Sequence, residues 1–259
     1  MKEKHFQLLI LSPPKRTWGI KAMKKIMWII SIIPLAVTVI VLKFMPESVP
    51  MHYDALGNVD RWGSRYENLI FPAMILVIAA FMSFLITYYE RKAKKTVDDK
   101  ERAGSLSNAK ILGLIGTMMA AMHGVMQCCI LYGAYTGAKS EATTATVDMS
   151  RVSCILIGLL FMVLGNFMTK TRINGSVGVR ISWSMYNDNT WKKSNHFGAV
   201  AMIIAGILTI VTAVLMKNSF GAVMTAVGYI CTASVVTMIY AHKVYVEEIK
   251  VKKTGGQKQ

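Results

Sequence analysis

Charged residues are scarce in this sequence, and the acidic ones are the scarcest. Only 17% of the 259 residues are charged, against about 25% in an ordinary soluble domain. The chain has 14 Asp and Glu against 30 Lys and Arg, and 53% of its residues are hydrophobic. This balance excludes a disordered chain and argues against an ordinary soluble enzyme.

Cysteine and histidine are too sparsely placed for a disulfide scaffold or a known metal motif. The four cysteines, Cys128, Cys129, Cys154 and Cys231, lie in apolar segments without CxxC spacing, and there is no HExxH sequence. Cysteines in such surroundings pack as small apolar residues. We therefore predict no structural disulfide, no metal site and no cofactor.

Six long segments contain no Lys, Arg, Asp or Glu. A helix needs about 20 mostly apolar residues to cross a bilayer, and in hydrocarbon its backbone groups must pair within the segment. The sequence therefore predicts an all-α integral membrane protein, a six-transmembrane-helix bundle. Small residues in the third and fifth segments favour close packing in one compact bundle. The segments are Ile26 to Leu42, Leu69 to Tyr89, Ile111 to Tyr135, Val152 to Met168, Gly198 to Met216 and Gly221 to Ala241.

The basic residues fall mainly on alternate loops. Loops on one side of the predicted membrane hold 24 of the 30 Lys and Arg, and loops on the other side hold six. Because Lys and Arg accumulate on the cytoplasmic side, the N-terminus and the C-terminus of this multi-pass cell-membrane protein are both predicted to be cytoplasmic. The basic excess then faces anionic lipid headgroups. No loop is long enough to fold as a nucleic-acid-binding domain.

One pair of polar side chains lies inside a predicted span. His123 and Gln127 are one helical turn apart, on the same face of the third segment. A polar pair in hydrocarbon indicates either a functional site, such as the midplane site of a transporter, or an interhelical hydrogen bond. We favour the hydrogen bond and keep both interpretations.

The outer loop after the first span carries a second polar group. Two prolines, Pro46 and Pro50, stiffen its start, and Gly57-Asn58 is a turn signal. The loop is either an ordered cap on the bundle or a site for a cation or a basic peptide. The side chains that would form such a site are His52, Tyr53, Asp54 and Asp60.

The inner loop between the fourth and fifth spans is the most informative stretch. Its aromatic and basic side chains suit the headgroup layer, while its glycines and amides indicate a specific hydrogen-bonded structure. Asp188 is predicted to cap the helix that leads into the fifth span. The candidate site residues are Asn166, Lys170, Asn174, Gly178, Arg180, Trp183, Trp191, Lys193 and His196.

This stretch resembles the signature of the SdpI family, membrane proteins named for immunity to a bacterial sporulation-delaying toxin. The outer loop resembles a short module of unknown function that often precedes that domain, through Met45-Pro46, Val49-Pro50, His52, Gly57-Asn58 and Asp60. Family members often have proline where this chain has Thr169 and Ser182, and His-Arg where it has Asn195-His196. The inner resemblance is carried by Gly165-Asn166, Lys170, Asn174, Gly178-Val179-Arg180, Trp183-Ser184, Trp191-Lys192-Lys193-Ser194 and Phe197-Gly198.

The resemblance implies a protein that resists or senses a secreted, membrane-active peptide toxin and is not an enzyme. The outer loop would face the toxin. The inner loop, from Lys170 to His196, would change conformation or present a surface that holds a cytoplasmic transcriptional repressor. The alternatives are a small-molecule or lipid transporter, an intramembrane enzyme, and a structural or assembly protein.

The resemblance and the spans together predict five segments. Residues 1–22 form an N-terminal extension, either a dispensable segment or a membrane-surface anchor, and residues 23–90 hold the first two helices with the outer-loop module. A basic cytoplasmic linker follows at 91–110. Residues 111–249 form an SdpI-like four-helix membrane domain with its signature loop at 165–198, and residues 250–259 form a disordered basic tail.

Overall fold

Six long helices run through the part of the chain that the computed structural model describes, residues 19–169, 173 and 177–255. Each helix is long and apolar enough to cross a membrane, which confirms the predicted six-helix membrane fold. Two strands, β1 (Ser48–Tyr53) and β2 (Val59–Ser64), and a 3-10 turn (Arg65–Leu69) lie between the first two helices. The helices are α1 (Ile20–Val41), α2 (Ile70–Lys95), α3 (Asp99–Lys139), α4 (Met149–Met168), α5 (Asp188–Leu215) and α6 (Ser219–Gly255).

Side-chain caps fix where two of the helices begin. The Asp98 carboxylate accepts a hydrogen bond from the Glu101 amide at 2.9 Å, before α3. The Asp148 carboxylate accepts one from the Arg151 amide at 3.0 Å, before α4. Each bond satisfies a first-turn amide that has no partner within its helix.

The cap of α5 lies one residue before the predicted position. Asn187 has an extended backbone and accepts from the Thr190 amide at 2.8 Å, while the Thr190 hydroxyl accepts from the Asn187 amide at 3.0 Å. Asp188 lies in the first turn instead, where its charge suits the positive end of the helix dipole. Both residue types make good caps, so the backbone conformation that the preceding loop imposes decides between them.

The helices extend beyond the apolar segments on the basic side of the chain. The stretch predicted as a linker, 91–110, is helical apart from residues 96–98. The prediction of a disordered tail from residue 250 was wrong as far as Gly255, because α6 continues to that residue. Residues 1–18 and 256–259 lie outside the described residues.

The six helices pack as two groups of three. Helix α3 packs extensively on α1 and α2, and α5 packs on α4 and α6, whereas α3 and α4 share only a small contact. Met27, Met82 and Ile86 lie in the core of the first group, and Cys154 and Ala213 in that of the second. The expectation of one compact bundle is corrected in this respect, since α3 packs chiefly with the helices that precede it.

Helices α4 and α5 approach each other through small residues. A Cβ atom added to Gly206 would lie 2.6 Å from the Gly158 carbonyl oxygen, and one added to Gly165 would lie 2.8 Å from the Ala199 carbonyl oxygen. The two contacts are seven residues apart on both helices, so they lie along one antiparallel seam. In a bilayer, where burial of apolar surface does not drive helices together, such close packing stabilises their association.

We predict that Gly206→Ala destabilises the protein by about 1–3 kcal/mol, because the added methyl group would overpack the seam. The matched control is Gly228→Ala on α6, where an added Cβ would have nothing within 4 Å. That substitution removes an exposed mid-helix glycine and should be neutral or stabilising by up to about 1 kcal/mol. Thermal unfolding of both variants in detergent micelles measures the difference. Equal unfolding temperatures would contradict the seam.

Candidate functional site

The outer loop forms a hairpin whose turn is organised by one carboxylate. The Asp54 side chain accepts hydrogen bonds from the Leu56 and Asn58 amides at 2.8 Å and from the Asn58 side chain at 2.8 Å. Gly57 has φ +87°, a conformation that favours glycine. The hydrogen bonds from the Asn58 side chain and backbone hold the pKa of Asp54 below its ordinary value. Asp54 therefore stabilises the turn of the hairpin.

The hairpin brings His52 and Asp60 together. The His52 Nδ1 atom lies 2.6 Å from Asp60 Oδ1 across the two strands, and both side chains are largely exposed. Within the described residues, no group of three His, Cys, Asp or Glu side chains could hold a metal ion. The pair is therefore presented at the surface as a hydrogen-bonded donor and acceptor.

The base of the hairpin is anchored on the first helix group. Val49 is fully buried against Leu42 and Leu131, and the Pro50 ring lies against Gly137, where an added Cβ would come within 3.0 Å of it. Pro46 follows Met45, whose carbonyl accepts from the Arg65 guanidinium at 2.7 Å. The hairpin therefore rests on α1 and α3.

The loop between α3 and α4 pairs with the tip of the hairpin. The Val59 amide donates to the Thr143 carbonyl at 2.8 Å, and the Ala145 amide donates to the Gly57 carbonyl at 2.7 Å. This loop leads directly into α4. The hairpin thus contacts the first helix group and the connection to the second.

Gln127 joins three elements beneath the hairpin. Its buried side-chain amide donates to Thr38 Oγ1 on α1 at 2.9 Å and to the Asn68 carbonyl of the 3-10 turn at 3.1 Å. His123 instead hydrogen bonds through Nδ1 to the Met119 carbonyl of its own helix at 2.7 Å. The expected interhelical hydrogen bond is therefore made by Gln127, and the two side chains have different partners.

The inner loop folds back onto α5 through a buried amide. The Val179 amide donates to Asn195 Oδ1 at 2.8 Å, and Asn195 Nδ2 donates to the Trp191 carbonyl at 3.0 Å. Gly178 has φ +122°, and a Cβ atom there would collide with Asn195 Oδ1 and crowd the Trp191 ring at 3.0 Å. Gly178 is thus required both by its backbone conformation and by the close approach of α5.

Two hydroxyl groups close the same loop. Ser184 Oγ lies 2.5 Å from the Val179 carbonyl oxygen and 2.9 Å from that of Ile181, and it accepts from the Ile181 amide at 3.2 Å. Thr190 Oγ1 lies 3.2 Å from the Ser184 carbonyl oxygen. Ser184 and Thr190 are fully buried, so these bonds replace hydration that the loop has lost.

The inner end of α6 completes the site. Glu248 accepts from the Asn187 side chain at 2.9 Å and from the Asn189 side chain at 2.5 Å. These hydrogen bonds, that of Asn187 first, and the nearby Lys193 charge hold the pKa of Glu248 below its ordinary value. The rings of Trp183 and His242 also meet edge to face, with their centroids 4.6 Å apart. The signature loop is therefore tied to both α5 and α6.

The remaining sequence-predicted residues divide between buried and exposed positions. Trp191 is 1% exposed, and Asn166 is half-buried in the last turn of α4, with its carbonyl accepting from the Thr169 hydroxyl at 3.0 Å. Arg180, Lys193 and His196 are exposed. Lys170 and Asn174 lie outside the described residues.

Four residues of the site were not predicted as functional: Ser184, Thr190, Asn195 and Glu248. Asn195 stood out only as a departure from the family pattern, yet its amide holds the loop. Glu248 had no signal at all, because nothing local in the sequence shows that α6 returns to the start of α5. His196 is exposed and does not take the structural position of residue 195.

We predict that Asn195→Ala releases the inner loop. The change removes the acceptor of the Val179 amide and leaves a buried cavity, which should cost about 1–3 kcal/mol and speed tryptic cleavage after Arg180. The control is Asn189→Ala, which removes one surface bond to Glu248 and should have a smaller effect on both. Unfolding temperature and limited proteolysis in detergent give the readouts. Unchanged cleavage after Arg180 in Asn195→Ala would contradict the role of this amide.

We also predict an acid-dependent loosening of α6. A lowered folded-state pKa means that ionised Glu248 stabilises the fold above its unfolded pKa of about 4.3, and that this stabilisation is lost as the pH falls through the lowered value. Between about pH 7 and pH 3, the unfolding temperature of Glu248→Gln should therefore fall less than that of the parent. The exposed neighbour variant, Glu247→Gln, should follow the parent. Parallel curves for all three proteins would be the contrary result.

Comparison with known proteins adds three findings. Residues 170–241 match the SdpI/YfhL protein family, and residues 29–76 match a domain of unknown function, DUF1648. The chain is 19% identical over 171 residues to Immunity protein SdpI of Bacillus subtilis (strain 168), which covers 66% of this chain and 72% of that protein. No solved structure matches significantly. The resemblance seen in the sequence is confirmed: this multi-pass membrane protein has a segment that matches the SdpI/YfhL family after a segment that matches DUF1648.

Proposed function

We propose that this protein makes its cell immune to a secreted, membrane-active peptide toxin, and that it does so without enzymatic activity. The observation that carries the proposal is the SdpI/YfhL match over residues 170–241, together with similarity to a protein named for immunity. Within the described part of that segment, hydrogen bonds of Asn195 hold the loop to the start of α5. Its exposed Arg180 is available to a partner.

The proposal places the hairpin outside the cell and both termini in the cytoplasm. The distribution of Lys and Arg supports this orientation. The hairpin then offers a peptide two kinds of contact. Asp54 and Asp60 provide exposed carboxylates for a basic peptide, while Leu56 (87% exposed) and Trp62 (42% exposed) provide apolar surface.

The position of the hairpin supports a coupling between the two membrane faces. It rests on α1 and α3 through Val49 and Pro50, and it pairs with the loop that enters α4. A toxin that binds one arrangement of the two helix groups more tightly shifts their population toward that arrangement. In this proposal the inner loop changes with the helices that hold it, and its exposed face engages a cytoplasmic transcriptional repressor.

The transporter and enzyme alternatives receive less support from the geometry. The side-chain N–H groups of Gln127 are committed to Thr38 on α1 and to the Asn68 carbonyl, and His123 is committed to its own helix. The larger grooves between helices in the described part of the chain are lined almost entirely by apolar side chains, whereas a transporter needs a polar site near the midplane. The His52–Asp60 pair and the Arg180 loop lie at opposite ends of the bundle and cannot form one catalytic site.

The test is survival of a toxin-sensitive bacterial host that expresses the protein, challenged with a panel of membrane-active peptides. We expect the parent to protect against at least one peptide. His52→Ala and Arg180→Ala should lose at least about tenfold in the protective concentration, the change produced when an interaction of about 1.4 kcal/mol is lost.

Two controls distinguish loss of the proposed site from a general loss of positive charge and from a lower amount of protein in the membrane. Arg91→Ala removes an exposed basic residue from the inner face of the first helix group and should protect like the parent. Membrane levels of all variants are matched by immunoblotting. Equal protection by all four proteins would refute the assigned surfaces, and no protection by the parent against any peptide would count against the immunity function.

A further inference from the structure

A narrow apolar groove lies among α4, α5 and α6 at the end that carries the signature loop. It encloses about 240 Å³. Its lining is mainly apolar and includes the large side chains of Phe161, Met168, Ile230 and Met238 and the small residues Gly198 and Ala205. The groove offers a ligand almost purely apolar contact.

The groove's two hydroxyl groups are already satisfied. Ser234 donates to the Ile230 carbonyl at 2.8 Å, and Thr237 donates to the Ala233 carbonyl at 2.6 Å, both within α6. The lining therefore presents no unused donor. This suits a hydrocarbon chain and does not suit a polar solute.

The groove is shorter than one leaflet of a membrane. Its lining on α5 runs from Gly198 to Ala205, which spans about 10 Å at 1.5 Å per residue. The hydrocarbon of a single leaflet is about 15 Å thick. The groove therefore begins near the headgroup layer and ends before the midplane.

The volume separates two possible occupants. A helix with its side chains is about 10 Å across, so a 10 Å length fills roughly 800 Å³, far more than the groove holds. A single hydrocarbon chain, whose carbon atoms pack at about 4 Å from their neighbours, fills roughly 200 Å³ over the same length. By volume, the groove fits one acyl chain better than a peptide helix.

A cation lies next to the headgroup end of the groove. Gly178 and Val179 line that end, and the next residue, Arg180, is exposed. Its guanidinium has no hydrogen-bond or ion-pair partner among the residues that the structure describes. A guanidinium binds phosphate through two parallel hydrogen bonds, so an unpaired arginine beside an apolar slot matches the two ends of a phospholipid.

We propose that this groove is a binding site for an anionic phospholipid, with one acyl chain between α4 and α6 and the phosphate on Arg180. The surrounding charge supports an anionic headgroup, because exposed Lys192 and Lys193 lie at the start of α5 on the same side. Basic segments at this depth attract anionic lipids. The proposal rests on the groove and Arg180, independently of any immunity function.

The test is native mass spectrometry of the full-length protein in detergent, with phosphatidylglycerol and phosphatidylcholine of identical acyl chains as probes. We expect phosphatidylglycerol to bind about tenfold more tightly in the parent. Arg180→Gln should abolish this preference while keeping acyl-chain binding. Arg91→Gln, which removes an exposed arginine from the other helix group, should keep the preference.

A second pair of variants tests the acyl-chain groove itself. Ser234→Trp places a large side chain in the groove from an exposed position, whereas Val235→Trp adds the same side chain next to it, at a residue that does not line the groove. We expect Ser234→Trp to weaken binding of both lipids about tenfold, and Val235→Trp to leave it unchanged. Their unfolding temperatures should agree, which excludes misfolding as the cause.

Two results would overturn the proposal. The first is equal binding of both lipids by the parent, or an equal loss of preference in Arg180→Gln and Arg91→Gln, which would indicate general surface attraction. The second is indistinguishable lipid binding by Ser234→Trp and Val235→Trp. Inorganic phosphate at millimolar concentration should not displace phosphatidylglycerol, because it has no chain to occupy the groove.

Discussion

The structure depends first on the absence of water from the bilayer interior. Backbone groups there must pair within their own segment, which makes every spanning segment a helix. Because lipid chains are themselves apolar, burial of apolar side chains does not drive helices together. The helices therefore associate only where they pack closely or form hydrogen bonds. The Gly158–Gly206 seam in the second helix group and the Gln127–Thr38 hydrogen bond in the first are examples of these two kinds of contact. Where neither operates, between α3 and α4, contact is small.

Polar structure is consequently concentrated at the two membrane faces. At one face the Asp54 carboxylate organises a turn, and the hairpin it closes spans the junction of the two helix groups. At the other face Asn195 and Ser184 hold a loop that would otherwise leave buried amides without partners. Both constructions use short side chains bonded to backbone, which fixes the loop conformation. The charged residues Arg180 and Asp60 are exposed.

The signature loop owes its order to contacts with two helices, α5 and α6. Asn195 binds it to α5, and Glu248 binds the start of α5 to the inner extension of α6. Movement of either helix must therefore move the loop. This arrangement gives a physical route by which an event among the helices could alter the surface around Arg180, and it explains why a family signature spreads over a loop and the following helix.

Much of the architecture was set by local sequence. Six charge-free segments determine six helices because the bilayer allows nothing else, and Gly57-Asn58 determines a turn because its backbone needs are local. The family resemblance likewise followed from residues close in the chain, such as Gly178-Val179-Arg180 and Trp191.

Tertiary structure decided the rest. The grouping of α3 with α1 and α2 depends on which small residues meet across helices, and periodicity does not encode the partner. Asn187 is the cap of α5 because the preceding loop sets its backbone conformation. Helix α6 continues past Glu248, which hydrogen bonds to Asn187, and ends only at Gly255. The role of Asn195 could not be inferred from its type, since an amide is structural only when two backbone groups lie within its reach. Local composition therefore determined which segments are helical, while long-range contacts determined what each polar side chain does.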